Sequence, residues 1–106
     1  MPDYHIVIFC TVPDPESGGR IGQTLVEERL AACVNLVPGL TSIYRWQGKL
    51  EQTAECLLLI KTTAARFEAL AERLRALHPY DVPEIIALPV THGLPAYLNG
   101  ITETLK

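Results

Sequence analysis

Leu30-Ala31-Ala32-Cys33-Val34-Asn35-Leu36-Val37-Pro38-Gly39-Leu40-Thr41-Ser42-Ile43-Tyr44-Arg45-Trp46-Gln47-Gly48-Lys49-Leu50-Glu51 reads as one long strand running into a hairpin, with the only tryptophan near its tip. From Ala32 to Tyr44 the strand is roughly twice the usual 5–6 residues. At about 3.3 Å per residue it reaches roughly 40 Å. A compact chain of this size has a radius of gyration of about 13 Å, so the hairpin is expected to overhang its own core. An isolated two-stranded ribbon is marginal in water, and a second copy of the chain is the simplest cover for it.

Outward from the hairpin, the other elements follow from periodicity. Tyr4 to Val12 alternates with both faces apolar, Tyr4, Ile6, Ile8, Cys10 and Val12 on one and Val7 and Phe9 on the other. That is the pattern of a central strand covered on both sides. Asp14-Pro15-Glu16-Ser17 supplies a helix cap, a proline at the first helical position and an acidic first turn. That helix runs on through Ile21, Leu25, Val26 and Leu30, and Gly18, Gly19 and Gly22 are expected to loosen its start.

After the hairpin, Glu55 to Lys61 returns as a strand, and Thr63 is placed to cap a second helix. In that helix Phe67, Leu70, Ala71, Leu74 and Leu77 share one face, and Pro79 stops it. Glu84 to Val90 is a fourth strand, put at a sheet edge by Pro89. His92-Gly93 turns the chain, and Pro95 opens a last helix with Leu94, Tyr97, Leu98, Ile101 and Leu105 on one side. The order is that of an α+β, ferredoxin-like split βαβ fold (βαββαβ plus a C-terminal helix), an antiparallel sheet with helices on one face. The open face and the hairpin together form a large apolar surface. The 106 residues make a single domain.

Composition removes several function classes. The net charge of −3, without a Lys/Arg cluster, argues against nucleic acid as a partner. The apolar stretches are strand-sized, so no membrane span is expected. Met1-Pro2-Asp3 does not lead from a basic stretch into an apolar run, so no signal peptide is expected and the cytoplasm is the expected compartment. Cys10, Cys33 and Cys56 are odd in number, lack C-x-x-C spacing and sit in apolar runs, which disfavours a disulfide framework or structural zinc.

No nucleophile elbow, phosphate loop or H-E-x-x-H motif is present, so no catalytic motif can be assigned from the residues. Metal binding has two candidate donors. Cys10 ends the first strand and His78 closes the second helix, and thiolate and imidazole are ligands for copper. The alternative for His78 is a structural role at the helix end. His5 and His92 read as a strand residue and a turn residue. Trp46 serves as an interface anchor or as the wall of a cleft between protomers, with Lys61, Tyr80 and Glu84 at the lip.

Four blocks in one order carry a resemblance. Leu25–Asn35, Val37–Tyr44, Trp46–Glu51 and His78-Pro79-Tyr80-Asp81-Val82-Pro83-Glu84 resemble the CutA family of divalent-cation tolerance proteins. The resemblance implies a ferredoxin-like protomer in a homotrimer, with the hairpins pairing around the threefold axis. It also implies a cytoplasmic protein that binds copper(II) or other divalent metals. The architecture is similar to that of the PII signalling proteins, which implies a binding or signalling role with a small ligand or a partner protein in the inter-subunit clefts. The family's proposed copper site is matched by Cys10 and, of its histidine pair, by His78 alone; the first position of that pair is Leu77.

Overall fold

In the computed structural model, which describes residues 3–106, the chain alternates strand and helix as its periodicity requires. The Met1-Pro2 start lies outside the described residues. Strand β1 (His5–Val12) leads through a capped turn into helix α1 (Pro15–Glu27), and strands β2 (Cys33–Trp46) and β3 (Lys49–Thr63) form the hairpin. A single 3-10 turn, Ala64–Arg66, precedes helix α2 (Phe67–Leu77), followed by strand β4 (Ile86–Pro89) and helix α3 (Pro95–Thr104). The sheet order is β2-β3-β1-β4, antiparallel throughout, which is the split βαβ arrangement.

Local chemistry sets the element ends. The Asp14 carboxylate accepts the Ser17 N–H at 2.7 Å, and Pro15 follows at the first helical position. This hydrogen bond holds the Asp14 carboxyl below the usual range. Gln47 (φ 49°) and Gly48 (φ 78°) make the tight hairpin turn, in the left-handed conformations such a turn demands. Thr63 does not cap the following helical turn through its side chain; its neighbour Thr62 donates to the Leu30 carbonyl at 2.7 Å.

The sheet is buried on one face. Ile6, Ile8, Cys10 and Val12 of β1 and Cys56, Leu58 and Ile60 of β3 pack under Ile21 and Leu25 of α1 and Leu70 and Leu74 of α2. The early glycines of α1 allow that packing. A Cβ on Gly18 would stand 3.0 Å from Leu58 Cδ2, and one on Gly22 would stand 3.1 Å from Val34 Cγ1. Their absent side chains let α1 approach the sheet closely, which offsets the intrinsic helix cost expected from the sequence.

The other face differs from the sequence expectation of a central strand covered on both sides. Val7 and Phe9 are only half-buried, although β1 lies inside the sheet. Among the described helices, α3 reaches this face, at one end. His5 Nε2 lies 3.0 Å from Thr102 Oγ1, and Lys61 Nζ donates to the Tyr97 hydroxyl at 3.3 Å. Two helices therefore cover one face and the third touches the other, where the sequence reading put the helices together.

The hairpin overhangs as expected. The principal extents are 44 × 26 × 24 Å and the radius of gyration is 14.4 Å. β3 begins at Lys49 rather than Glu55, because the ribbon pairs continuously from the turn back to Thr63.

Candidate functional site

Pairing in the hairpin is interrupted once, and the interruption builds the site. Val37 pairs with Leu57 and Leu40 with Glu55, so Pro38 and Gly39 together oppose the single residue Cys56. Gly39 takes φ 77°, and Pro38 is tolerated because β2 is an edge strand. An extra residue in a strand moves every later side chain to the other face. Before the bulge, Cys33, Asn35 and Val37 share the open face with Leu57 and Leu59; after it, Ser42, Tyr44 and Trp46 share that face with Thr53 and Glu55. The Tyr44 hydroxyl lies 3.0 Å from Thr53 Oγ1, as this register requires.

A second segment meets the hairpin from the far side. His78 caps the end of α2 in extended conformation, and the chain then runs through Pro79 to Glu84 before β4. His78 is 7% exposed. Its Nε2–H donates to the Thr11 carbonyl at 2.8 Å, and its Nδ1 accepts the Tyr80 N–H at 3.0 Å. A carbonyl only accepts and an amide N–H only donates, so these two bonds fix the neutral Nε2–H tautomer. The imidazole thereby ties the segment after α2 to the end of β1. The Tyr80 ring stacks at a tilt on it, 4.7 Å between centroids. The Tyr80 hydroxyl then donates to Glu55 Oε2 at 2.6 Å, joining the segment to the hairpin. Burial and this bond to the Glu55 carboxylate push the Tyr80 phenol upward.

Between hairpin and segment lies a cleft of about 800 Å³. Tyr44, Trp46 and Tyr80 supply aromatic walls, and Glu55, Asp81 and Glu84 supply carboxylates. Thr11, Ser42, Ile43, Pro79 and Val82 complete it, and no lysine or arginine lines it. Trp46, Tyr80 and Glu84, expected from the sequence at a cleft lip, are thus brought together. Lys61 is not among them. It sits toward the opposite end of β3, with Nζ bonded to the Tyr97 hydroxyl and 5.6 Å from that ring's centroid.

The two candidate copper donors are engaged elsewhere. Cys10 is fully buried, and burial, followed by the nearby charges of Glu84 and Glu55, pushes its thiol up to about 12. A metal-binding cysteine must be a thiolate, which this setting disfavours. Both His78 ring nitrogens already hold hydrogen bonds. Among the described residues no three His, Cys, Asp or Glu side chains converge as a metal-holding group. Cys10 and His78, as placed in one chain, do not fit a copper ion.

Glu55, Asp81 and Tyr44 were missed from the sequence. The signal for Tyr44 and Glu55 is the Pro38-Gly39 pair; Asp81, on the segment after α2, has no such signal. Counting the pair as a bulge puts Tyr44 and Trp46 on the face of Glu55; counting the strand as unbroken puts them on the opposite one.

The likeness to known proteins covers site and scaffold together. A family model described as CutA1 divalent ion tolerance protein matches residues 6–104. The divalent-cation tolerance protein CutA of Thermus thermophilus is 58% identical over 97 residues, covering 92% of this chain and 94% of that one. The chloroplastic protein CutA of Arabidopsis thaliana is 46% identical over 101 residues, covering 95% of this chain but 56% of that one. The crystal structure of CutA from Xylella fastidiosa superposes with a TM-score of 0.94 at 52% identity, covering 96% of this chain and 98% of that one. With sequence and fold both matched over nearly its whole length, this chain belongs to the CutA1 family of divalent ion tolerance proteins.

Proposed function

We propose that this chain is a non-catalytic, homotrimeric cation-binding protein whose ligand enters the cleft between the hairpin and the segment after α2. The observation that carries this reading is the charge of the lining. Glu55, Asp81 and Glu84 face one cleft, and no basic side chain lines it to neutralise them. Such a cleft attracts cations and repels anions. Divalent ions, copper(II) included, are the first ligands to test, because the family description names divalent ions. An oxygen-preferring ion needs only one or two carboxylates if it keeps part of its water shell.

Assembly is supported by the uncovered surface. Ile43 and Leu50 on the hairpin are 65% and 73% exposed, and Ile86 and Leu88 on β4 are 54% and 45% exposed. Both outer strands, β2 and β4, have one unpaired edge. A soluble monomer rarely leaves apolar surface of this kind open. The threefold count is what the family resemblance implies. A binding role rather than catalysis is favoured by the state of Cys10 and His78: the thiol is held neutral, and the imidazole has no free nitrogen to act as its base. The three cysteines are unpaired, as expected in a reducing compartment such as the cytoplasm.

Calorimetric titration of the assembled protein with Cu(II) and with Mn(II) tests the site. The expected result is binding that weakens in Glu84→Gln and is unchanged in Cys10→Ser. Loss of binding in Cys10→Ser, with Glu84→Gln unaffected, rejects the cleft.

A further inference from the structure

We propose that the preferred ligand of this cleft is an organic ammonium ion, with cationic groups carried on an apolar chain, rather than a bare metal ion. The inference rests on the cation-binding reading above and specifies the class of cation.

Three observations separate the two classes. The first is spacing. Glu55 stands on β3, and Asp81 and Glu84 stand on the segment after α2; with all the other described residues, they form no group of three that closes on one point. A dehydrated metal ion needs convergent ligands at about 2.0–2.6 Å, and a hydrated one engages only one or two of these carboxylates at a time. Dispersed carboxylates instead suit a ligand whose charges are themselves dispersed.

The second is the wall material. Tyr44, Trp46 and Tyr80 contribute nothing that a hard divalent cation seeks. Aromatic faces do attract ammonium groups, and they pack against alkyl chains at the same time. The bulge at Pro38-Gly39 puts Tyr44 and Trp46 on the face that carries Glu55. Trp46 is 60% exposed, so its ring is open to such contact in the protomer.

The third is size. A volume of about 800 Å³ lies within the range of sites for small organic molecules, about 300–1,000 Å³, and far exceeds a hydrated ion. The Tyr80 hydroxyl already occupies one Glu55 oxygen, which leaves the other oxygen and the carboxylates of Asp81 and Glu84 for the ligand.

The test is titration calorimetry of the assembled protein at low salt with spermidine, with tetraethylene glycol as an uncharged chain of similar length, and with Mn(II). Variants are Glu84→Gln, Trp46→Ala, Trp46→Phe and, as a surface control of equal charge change, Glu68→Gln. The expected result is saturable spermidine binding, tighter than Mn(II), and none for the glycol. Trp46→Ala should weaken spermidine about tenfold while Trp46→Phe recovers most of it. Glu84→Gln should weaken it severalfold and Glu68→Gln should leave it unchanged.

Mn(II) binding that depends on Glu84, with no spermidine binding, overturns the inference and leaves the cation reading standing. Spermidine binding that Glu68→Gln lowers as much as Glu84→Gln is general charge attraction and also overturns it. Failure of both cations to bind rejects the cation reading itself.

Discussion

Neighbouring side chains on β1 meet opposite surroundings. Ile6, Ile8, Cys10 and Val12 are buried under α1 and α2, while Val7, Phe9 and Thr11, alternating with them, are half-buried. The same division runs through β3, where Cys56, Leu58 and Ile60 are buried and Glu55, Leu57, Leu59 and Lys61 are not. Both faces are largely apolar, so hydrophobicity does not explain the difference; what differs is whether the chain provides its own cover. The covered face holds one protomer together. The open face and the hairpin, equally apolar, are bare in one protomer, and they also carry the cleft.

The largest effect expected from this division is on the covered face. Leu58 is fully buried, and Leu58→Ala should cost about 2–5 kcal/mol by lost burial and the cavity left behind. Chemical denaturation measures this, and a cost under about 1 kcal/mol would show that the core tolerates the cavity. The same chemistry on the open face should behave differently. Leu88→Lys removes apolar surface that is already 45% exposed in the protomer, so the far-ultraviolet circular dichroism should be retained while the assembled mass falls. Unchanged mass would put the interface elsewhere.

A smaller, purely chemical contrast comes from the thiols. Cys10 and Cys56 lie on the covered face, and Cys33 lies half-exposed on the open one. At pH 8 a thiol reagent should modify Cys33 of a dissociated variant such as Leu88→Lys first, and Cys10 only after unfolding. The Cys10 thiol, held neutral up to about 12, favours the native state below the ordinary thiol pKa. That contribution is lost as pH rises through the folded value. Equal labelling rates for Cys10 and Cys33 would erase the contrast between the faces.

Much of this division was legible in the residues. Alternation in Tyr4–Val12, the Asp14-Pro15 start, the heptad-like face of α2 and the length of the hairpin each have a local physical cause. The family blocks placed them in one fold. What escaped was non-local. The beginning of β3 was hidden because Lys49 to Ala54 pair with the partner strand beyond the core, where no burial imposes a hydrophobic alternation. The role of Gly18 and Gly22 depends on Leu58 and Val34, distant in sequence.

The candidate site was legible in part for the same reason. Trp46, Tyr80 and Glu84 were singled out, but their company with Glu55 depends on a bulge whose effect on the register appears only once the strands are paired. His78 looked like a free donor because the sequence does not reveal that the Thr11 carbonyl and the Tyr80 amide will occupy it.

The central claim is that further copies of the same chain cover the bare apolar surface of the sheet and hairpin outside the cleft. The most direct measurement is sedimentation velocity of the unmodified protein over a wide range of concentration. It should give one species with three times the chain mass, and dissociation, where reached by dilution, should accompany a fall in melting temperature. A single-chain mass throughout, with a melting temperature independent of concentration, would contradict the claim.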